Sequence, residues 1–446
     1  SYYLKLKAKS QFDIMTTKKI QTTFLNISIF IFMFSFLFFG RSLSGIFLFG
    51  YRLGEYIVLF GLLIYFVFLF LYKNINNLDL KHVFSFHTAL VLFFIISSLL
   101  RDENLLEPYM YKASLYIWVI SFFYFGNIIN LKFEDNIKFF YFLNIAVFIN
   151  YIFTVVYYPN IFINFFEKYS DKFDFNKAHM TVAFFVIVTC GNYIYSKINF
   201  ETKKYNLILF FIIAGLYFPI FIFKSRGAFL SVLIYSLYYL YLIKDDIFSN
   251  KKVTTYLILL FFALFFISSY FVSGSNLQED EGITVVSEIF QNKDTSATFL
   301  SLYIDDSRLF STDGNINWRL QIWQDVFSQG YQNNWVLFGF GHQDIIPAMD
   351  NPDRSGYDGT NENVHNFLVN IFARGGLLSI TFFTLIIIHI FRLTKSKNLL
   401  FLYMLPFVTV SFFDASMENP HFPALFYFFM GYYIKTINNN SSKINI

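Results

Sequence analysis

Residues 205–243 read YNLILFFIIAGLYFPIFIFKSRGAFLSVLIYSLYYLYLI, two apolar runs parted only by Lys224-Ser225-Arg226-Gly227. Each run is close to the roughly 20 residues a helix needs to cross a hydrocarbon core. Four intervening residues are too few to leave the membrane surface, so the stretch predicts a helical hairpin in a bilayer with Arg226 at its turn. The same pattern continues in both directions. Of the 446 residues 56% are hydrophobic and 14% charged, against roughly 25% charged in soluble proteins. The 34 basic and 30 acidic side chains cannot coat the two or three soluble domains a chain of this length would otherwise form. A soluble enzyme is therefore excluded. The 66 phenylalanines fall mostly in the apolar runs and need no functional explanation.

Windows of about 19 residues place spans near 22–40, 52–72, 82–100, 109–129, 138–159, 178–196, 205–223, 227–243, 254–272, 376–392, 398–415 and 421–436. The expected fold is an all-α polytopic integral membrane protein of about 12 transmembrane helices with one large loop. Three regions follow: 1–272 with nine helices, the loop 273–375, and 376–446 with three helices and a tail. Lys5, Lys7, Lys9, Lys18 and Lys19 precede the first run, and no small-residue cleavage site follows it, so an uncleaved first helix is expected. The lone Cys190 allows neither a disulfide nor a cysteine-based metal site.

Lysine and arginine are retained on the cytoplasmic side. With both termini cytoplasmic, the inside segments hold 20 of the 34 basic residues. The long loop then faces outward. Between Ser273 and His365 it carries 14 acidic residues against Lys293, Arg308, Arg319 and Arg354. Acidic outside and basic inside agree on one topology.

The few cations on the outer side are the candidates for chemistry, because charges at a membrane are rare and usually functional. Arg226 is either an arginine snorkelling to lipid phosphates or an anion site, since a guanidinium offers paired donors suited to pyrophosphate. Asn315–Ser328 has apolar residues at three- and four-residue spacing and predicts an amphipathic helix. On it Arg319 and Trp323 share a face, which reads as a surface cation–π pair or as part of a site. Gly339-Phe340-Gly341-His342 predicts a tight turn or a close backbone approach, with His342 structural. His365, where the loop re-enters the membrane surface, has the side chain best matched to proton transfer near neutral pH; a helix-terminus role is the alternative. The acidic pairs Asp305-Asp306 and Asp350/Asp353 read as solvation of an acidic loop, and no metal site is expected. No HExxH, phosphate-binding loop or Gly-x-Ser-x-Gly elbow is present.

Ser225-Arg226-Gly227 at an outer turn, Arg319 four residues before Trp323 with Gly339-x-Gly341 after it, and His365-Asn366 leading to Gly375-Gly376 occur in that order. This set resembles the O-antigen ligase/polymerase superfamily over nearly the whole chain. The resemblance implies a GT-C-type membrane glycosyltransferase fold in the bacterial inner membrane, acting at the periplasmic face on undecaprenyl-pyrophosphate-linked glycans as donor and acceptor. It implies no metal or other cofactor. Beside the substrates and membrane lipids, it suggests a chain-length-regulating membrane protein as partner, and no nucleic acid. His365 would be the catalytic base, and Arg226 and Arg319 would bind pyrophosphate. Lys224, Asn366, Arg374, Glu418 and Trp323 are secondary candidates, Glu418 either orienting His365 or an arginine or merely solvating a helix end. Ligases of this superfamily tend to have a Thr-Arg pair at the first turn and His-x-His-Asn at the loop end. Here Ser225-Arg226 and Val364-His365-Asn366 stand instead, a departure that points to a Wzy-type polymerase, with the ligase as alternative. A transporter would place polar residues near the midplane of two related halves, and no such halves are found.

Overall fold

The structure, a computed structural model, describes residues 28–75, 77–128, 137–172, 175, 177–199, 202–248, 251–274, 302–312, 314–350 and 362–441. The N-terminal lysines, the start of the first expected span, most of the loop's acidic residues and Asp353 lie outside these.

The main elements are α1 (Ser28–Ser44), α2 (Leu53–Leu71), α3 (Leu78–Leu100), α4 (Leu115–Ile128), α5 (Ile137–Val155), α6 (Asn160–Tyr169), α7 (Ala178–Ile198), α8 (Lys203–Lys224), α9 (Arg226–Leu242), α10 (Lys251–Gly274), α11 (Gly314–Gln332), α12 (Phe367–Leu393), α13 (Lys397–Phe413) and α14 (His421–Asn439). Two small antiparallel hairpins, Phe47–Leu48 with Tyr51–Arg52 and Leu302–Asp305 with Arg308–Ser311, are the strands among the described residues.

Among these elements, six helices are long and apolar enough to cross a membrane, or seven if a bent pair counts as one span. The protein is thus a helical, multi-pass membrane protein. Helices occupy the remaining expected spans too, but several are short or interrupted. The expected 138–159 span ends as a helix at Val155 and turns by 77° into α6, because Pro159 lacks an amide donor and restricts the residue before it. The expected 109–129 span is split into Pro108–Ala113, Leu115–Trp118 and Ser121–Ile128.

Helix α14 is too polar for a lipid-facing span yet is buried along almost its whole length. Its tyrosines find protein partners, as when Tyr433 donates to the Ile187 carbonyl at 2.5 Å. Close packing against α4 depends on two glycines. A Cβ on Gly126 would lie 1.9 Å from the Phe428 carbonyl oxygen, and one on Gly431 would lie 2.1 Å from that of Phe123. Without a hydrophobic drive between helices in lipid, such small-residue contacts and polar pairs carry the association. Between α5 and α7, Asn144 and Asn192 exchange amide hydrogen bonds of 3.2 and 2.8 Å.

Helices α3 and α12 pack antiparallel, with Phe93 against Phe382 and, farther along, Phe86 against His389. Helix α12 begins at Phe367, ahead of the expected 376 start, and is broken at Gly376, whose φ of 63° and ψ of −164° belong to a region essentially reserved for glycine. The loop segment before α12 is folded. Ile322 and Val326 of α11 pack with Trp335, Ile346, Val364 and Phe372 in a small core of their own. The hairpin at 302–311 is tied to α11 by Arg308–Asp325 at 2.7 Å and by Gln324.

Candidate active site

The turn between α8 and α9 is set by Ser225, which is extended at φ −165° and caps α9 by accepting from the Ala228 amide. Arg226 is thereby the first residue of α9. Gly227 next to it lies against α13, where a Cβ would come 2.9 Å from the Phe413 Cβ. Phe413 immediately precedes Asp414, so the Arg226 turn lies near Asp414 in the fold. Lys224 closes the other side, donating from Nζ to Thr181 Oγ1 at 3.1 Å.

Asp414 accepts from His179 Nδ1 at 2.9 Å, and His365 and Lys177 lie within its electrostatic reach. Although burial alone would raise its carboxyl, the hydrogen bond from His179 and the electrostatic pull of His179, His365 and Lys177 on its anionic form hold it well below the usual carboxylate range. It is an anion under all ordinary conditions. His179 in turn stands near His421, ring centroids 6.4 Å apart, and both are almost fully buried.

His365 precedes the cap of α12. Asn366 accepts from the Leu368 and Val369 amides at 3.1 and 3.2 Å, a standard way to satisfy orphan helix-start donors. The cap leaves His365 outside the helix with a left-handed φ of 55°. For a residue with a Cβ this costs of order 1–3 kcal/mol, and such strain gathers at functional positions. The neighbouring backbone is locked by α11: Trp323 donates its indole N–H to the Val364 carbonyl at 2.8 Å, and Trp318 meets the His365 ring edge-on at 5.0 Å. Burial and the nearby Arg319 push the His365 imidazole down to about 4, so it is neutral at pH 7.

Gly339-Phe340-Gly341 docks into the break of α12. The Phe340 and Gly341 amides donate to the Ala373 and Arg374 carbonyls at 2.7 and 3.2 Å, while Leu377 and Leu378 donate back to Val336 and Leu337 at 2.9 and 3.2 Å. A Cβ on Gly339 would meet the Arg374 and Gly375 backbone at 2.4 Å, and one on Gly376 would meet the Leu337 backbone at 2.4 Å. Gly339 and Gly376 therefore interlock. Arg374, 3% exposed, braces the joint by donating to the Gly341 and Asp344 carbonyls at 3.1 and 2.5 Å and to the Tyr109 hydroxyl at 3.1 Å. Arg101 adds bonds to the Phe338 and Gly339 carbonyls. His342 is fully buried, near Tyr116 at 3.3 Å, as a structural residue should be.

Glu418 lies in the turn Ala415–Glu418 before α14. Its carboxylate oxygens are buried without a well-formed hydrogen bond. Burial pushes it up to about 8, against the opposing pull of Arg374 and a weak backbone interaction from Asn366. It is thus a neutral acid at pH 7, in the field of Arg374.

The fold brings Arg319 and Asp414 into electrostatic reach of His365 and packs the Arg226 turn on Phe413, next to Asp414. Trp323, Asn366 and Arg374 support their neighbours' backbones. Sequence reading missed Asp414, His179 and His421. A signal existed, since a lone acid ending the apolar run 398–415 and a histidine opening the run at 178 are expensive placements. An apolar cleft of about 440 Å³ between α1, α2 and α4, lined by Phe32, Phe36, Phe60 and Phe122, includes none of these residues.

Bundle and site together define a multi-pass membrane protein with a cluster of buried ionisable groups around His365. Residues 207–384 match the family model described as O-antigen ligase. The match over that stretch agrees with the resemblance to the O-antigen ligase/polymerase superfamily, and it supports a membrane glycosyltransferase-like enzyme of lipopolysaccharide biosynthesis. No curated protein and no solved structure matches the chain.

Proposed function

We propose that the protein polymerises undecaprenyl-pyrophosphate-linked oligosaccharide repeat units into O-antigen or a related surface polysaccharide. The placement of Arg319 and Asp414 within electrostatic reach of His365, with the Arg226 turn packed on the residue before Asp414, supports this reading. In it the chain spans the inner membrane about twelve times in a GT-C-type arrangement, with both termini cytoplasmic and the site facing the periplasm. A chain-length-regulating membrane protein is its natural partner.

The acceptor sugar hydroxyl gives its proton to His365 as its oxygen attacks the donor's anomeric carbon from the side opposite the leaving group. The carbon–oxygen bond to undecaprenyl pyrophosphate breaks, that group leaves with the electron pair, and the configuration inverts. Arg226 and Arg319 offset the charge that develops on the leaving pyrophosphate, an electrostatic role that works best in a water-poor site. The bound pyrophosphate also screens Arg319 from His365, which raises the basicity of the imidazole when the donor is in place.

The family's description as a ligase favours a second reading, transfer of finished polymer to lipid A–core. Against it, Asn363 stands where the His-x-His-Asn pattern of ligases of this superfamily, aligned on His365-Asn366, has its first histidine. Purified protein supplied only with lipid-linked repeat units distinguishes the two. A ladder of longer glycans supports the polymerase; product only when lipid A–core is added establishes the ligase.

The pH profile follows from the depressed imidazole. The base works in its neutral form, so activity is present above its folded pKa and is lost as pH falls through it. For kcat/KM, which reports free-enzyme ionisations, the acid limb attributable to His365 is expected near pH 4. An acid limb at about 6.5, the unperturbed histidine value, counts against a buried His365 beside Arg319 as the base.

A further inference from the structure

At the end of the α3–α12 pair remote from His365, Asp79 and His82 stand in the first turns of α3, and His389 near the end of α12 faces them. One donor atom from each residue can be chosen so that all three lie within 4.8 Å of one another. The two imidazole rings are 4.9 Å apart, and His389 is only 8% exposed. In both histidines Nδ1 is buried without a hydrogen-bond partner.

We propose that Asp79, His82 and His389 bind a divalent transition-metal ion of the zinc class. Asp79 and His82 are three residues apart on one helix and so share a face, and the antiparallel register brings His389 opposite them. Two imidazoles and one carboxylate favour zinc, nickel or cobalt over magnesium or calcium, which prefer oxygen alone. Bond lengths of about 2.0–2.2 Å put the ligand atoms of a tetrahedral zinc roughly 3.3–3.5 Å apart. The donor atoms, now within 4.8 Å of one another, draw together on binding, and a water completes the tetrahedron. A helix-start position explains Asp79, and packing on Phe86 explains the His389 ring. Neither explains two buried imidazole nitrogens without partners, a costly arrangement that a cation relieves. Arg392, within electrostatic reach of His389, tempers the affinity. The ion would fasten together α3 and α12 at the end opposite the Arg101 and Gly376 joint, a structural role separate from glycosyl transfer.

The test uses full-length protein in detergent without a histidine tag, equilibrated with zinc, gel-filtered, and analysed for bound metal by mass spectrometry. One zinc per chain is expected, with cobalt substitution giving the visible absorption of a tetrahedral site. His82→Gln and His389→Gln, which preserve much of the side-chain shape, should each weaken zinc binding by at least about tenfold while eluting as wild type does. Zinc should also raise the melting temperature of wild type and not of the double variant. Wild type that retains no zinc, or a well-folded His389→Gln variant that binds zinc as wild type does, overturns the proposal.

Discussion

His365→Ala is expected to abolish long glycan products while the protein stays folded in the membrane. The imidazole is a neutral base in this reading, and a positioned base contributes typically 10²–10⁴ in rate. Its removal should lower kcat by that order and leave the yield of extracted protein unchanged. Arg226→Ala and Arg319→Ala are expected to fail similarly by losing charge stabilisation. Arg226→Lys should remain poor, because an ammonium lacks the paired planar donors of guanidinium. The readout is glycan chain length in cells and turnover of lipid-linked repeat units in vitro, with membrane abundance measured alongside. Wild-type chain lengths from a well-expressed variant would remove that residue from the mechanism.

A comparable loss, of the fold rather than the chemistry, is expected from Gly126→Ala or Gly431→Ala. Each added methyl would lie 1.9 or 2.1 Å from a carbonyl oxygen of the facing helix, and a backbone oxygen cannot turn aside as a side chain can. The α4–α14 interface must separate, which exceeds the roughly 1–3 kcal/mol usual for overpacking. Both substitutions strain one interface, so their effects should combine non-additively. Gly314→Ala is the control, since a Cβ there meets nothing within 4 Å. The fraction of monodisperse protein after extraction, together with its melting temperature, measures the effect. A melting temperature unchanged in Gly431→Ala would contradict the packing of α4 on α14.

Much of this organisation was legible in the sequence because bilayer length and charge placement are strong constraints. The apolar runs became helices, and the 315–328 spacing became α11. Gly339-x-Gly341 read as a close backbone approach, but periodicity could not say that Gly376 is its counterpart. Such a joint depends on residues distant in the chain that come together only in the fold. The Arg319–Trp323 spacing suggested a pair on one face, whereas the indole N–H serves the Val364 carbonyl. Arg374 stood as a secondary site candidate, and the fold spends it on the carbonyls of Gly341 and Asp344. Asp414 escaped because it ends an apolar window, where averaging hides a single charge.

The site draws Arg226, Arg319 and His365 from the 207–384 stretch, but Asp414, His179 and Glu418 come from outside it. The chemistry is therefore not a portable cassette. Grafting 207–384 into a related scaffold would carry the three principal side chains and leave behind the carboxylate and imidazole that set their electrostatics. Divergence in this protein is then constrained in concert: a change on α7 or in the turn after α13 alters the environment of His365 as surely as a change beside it in sequence.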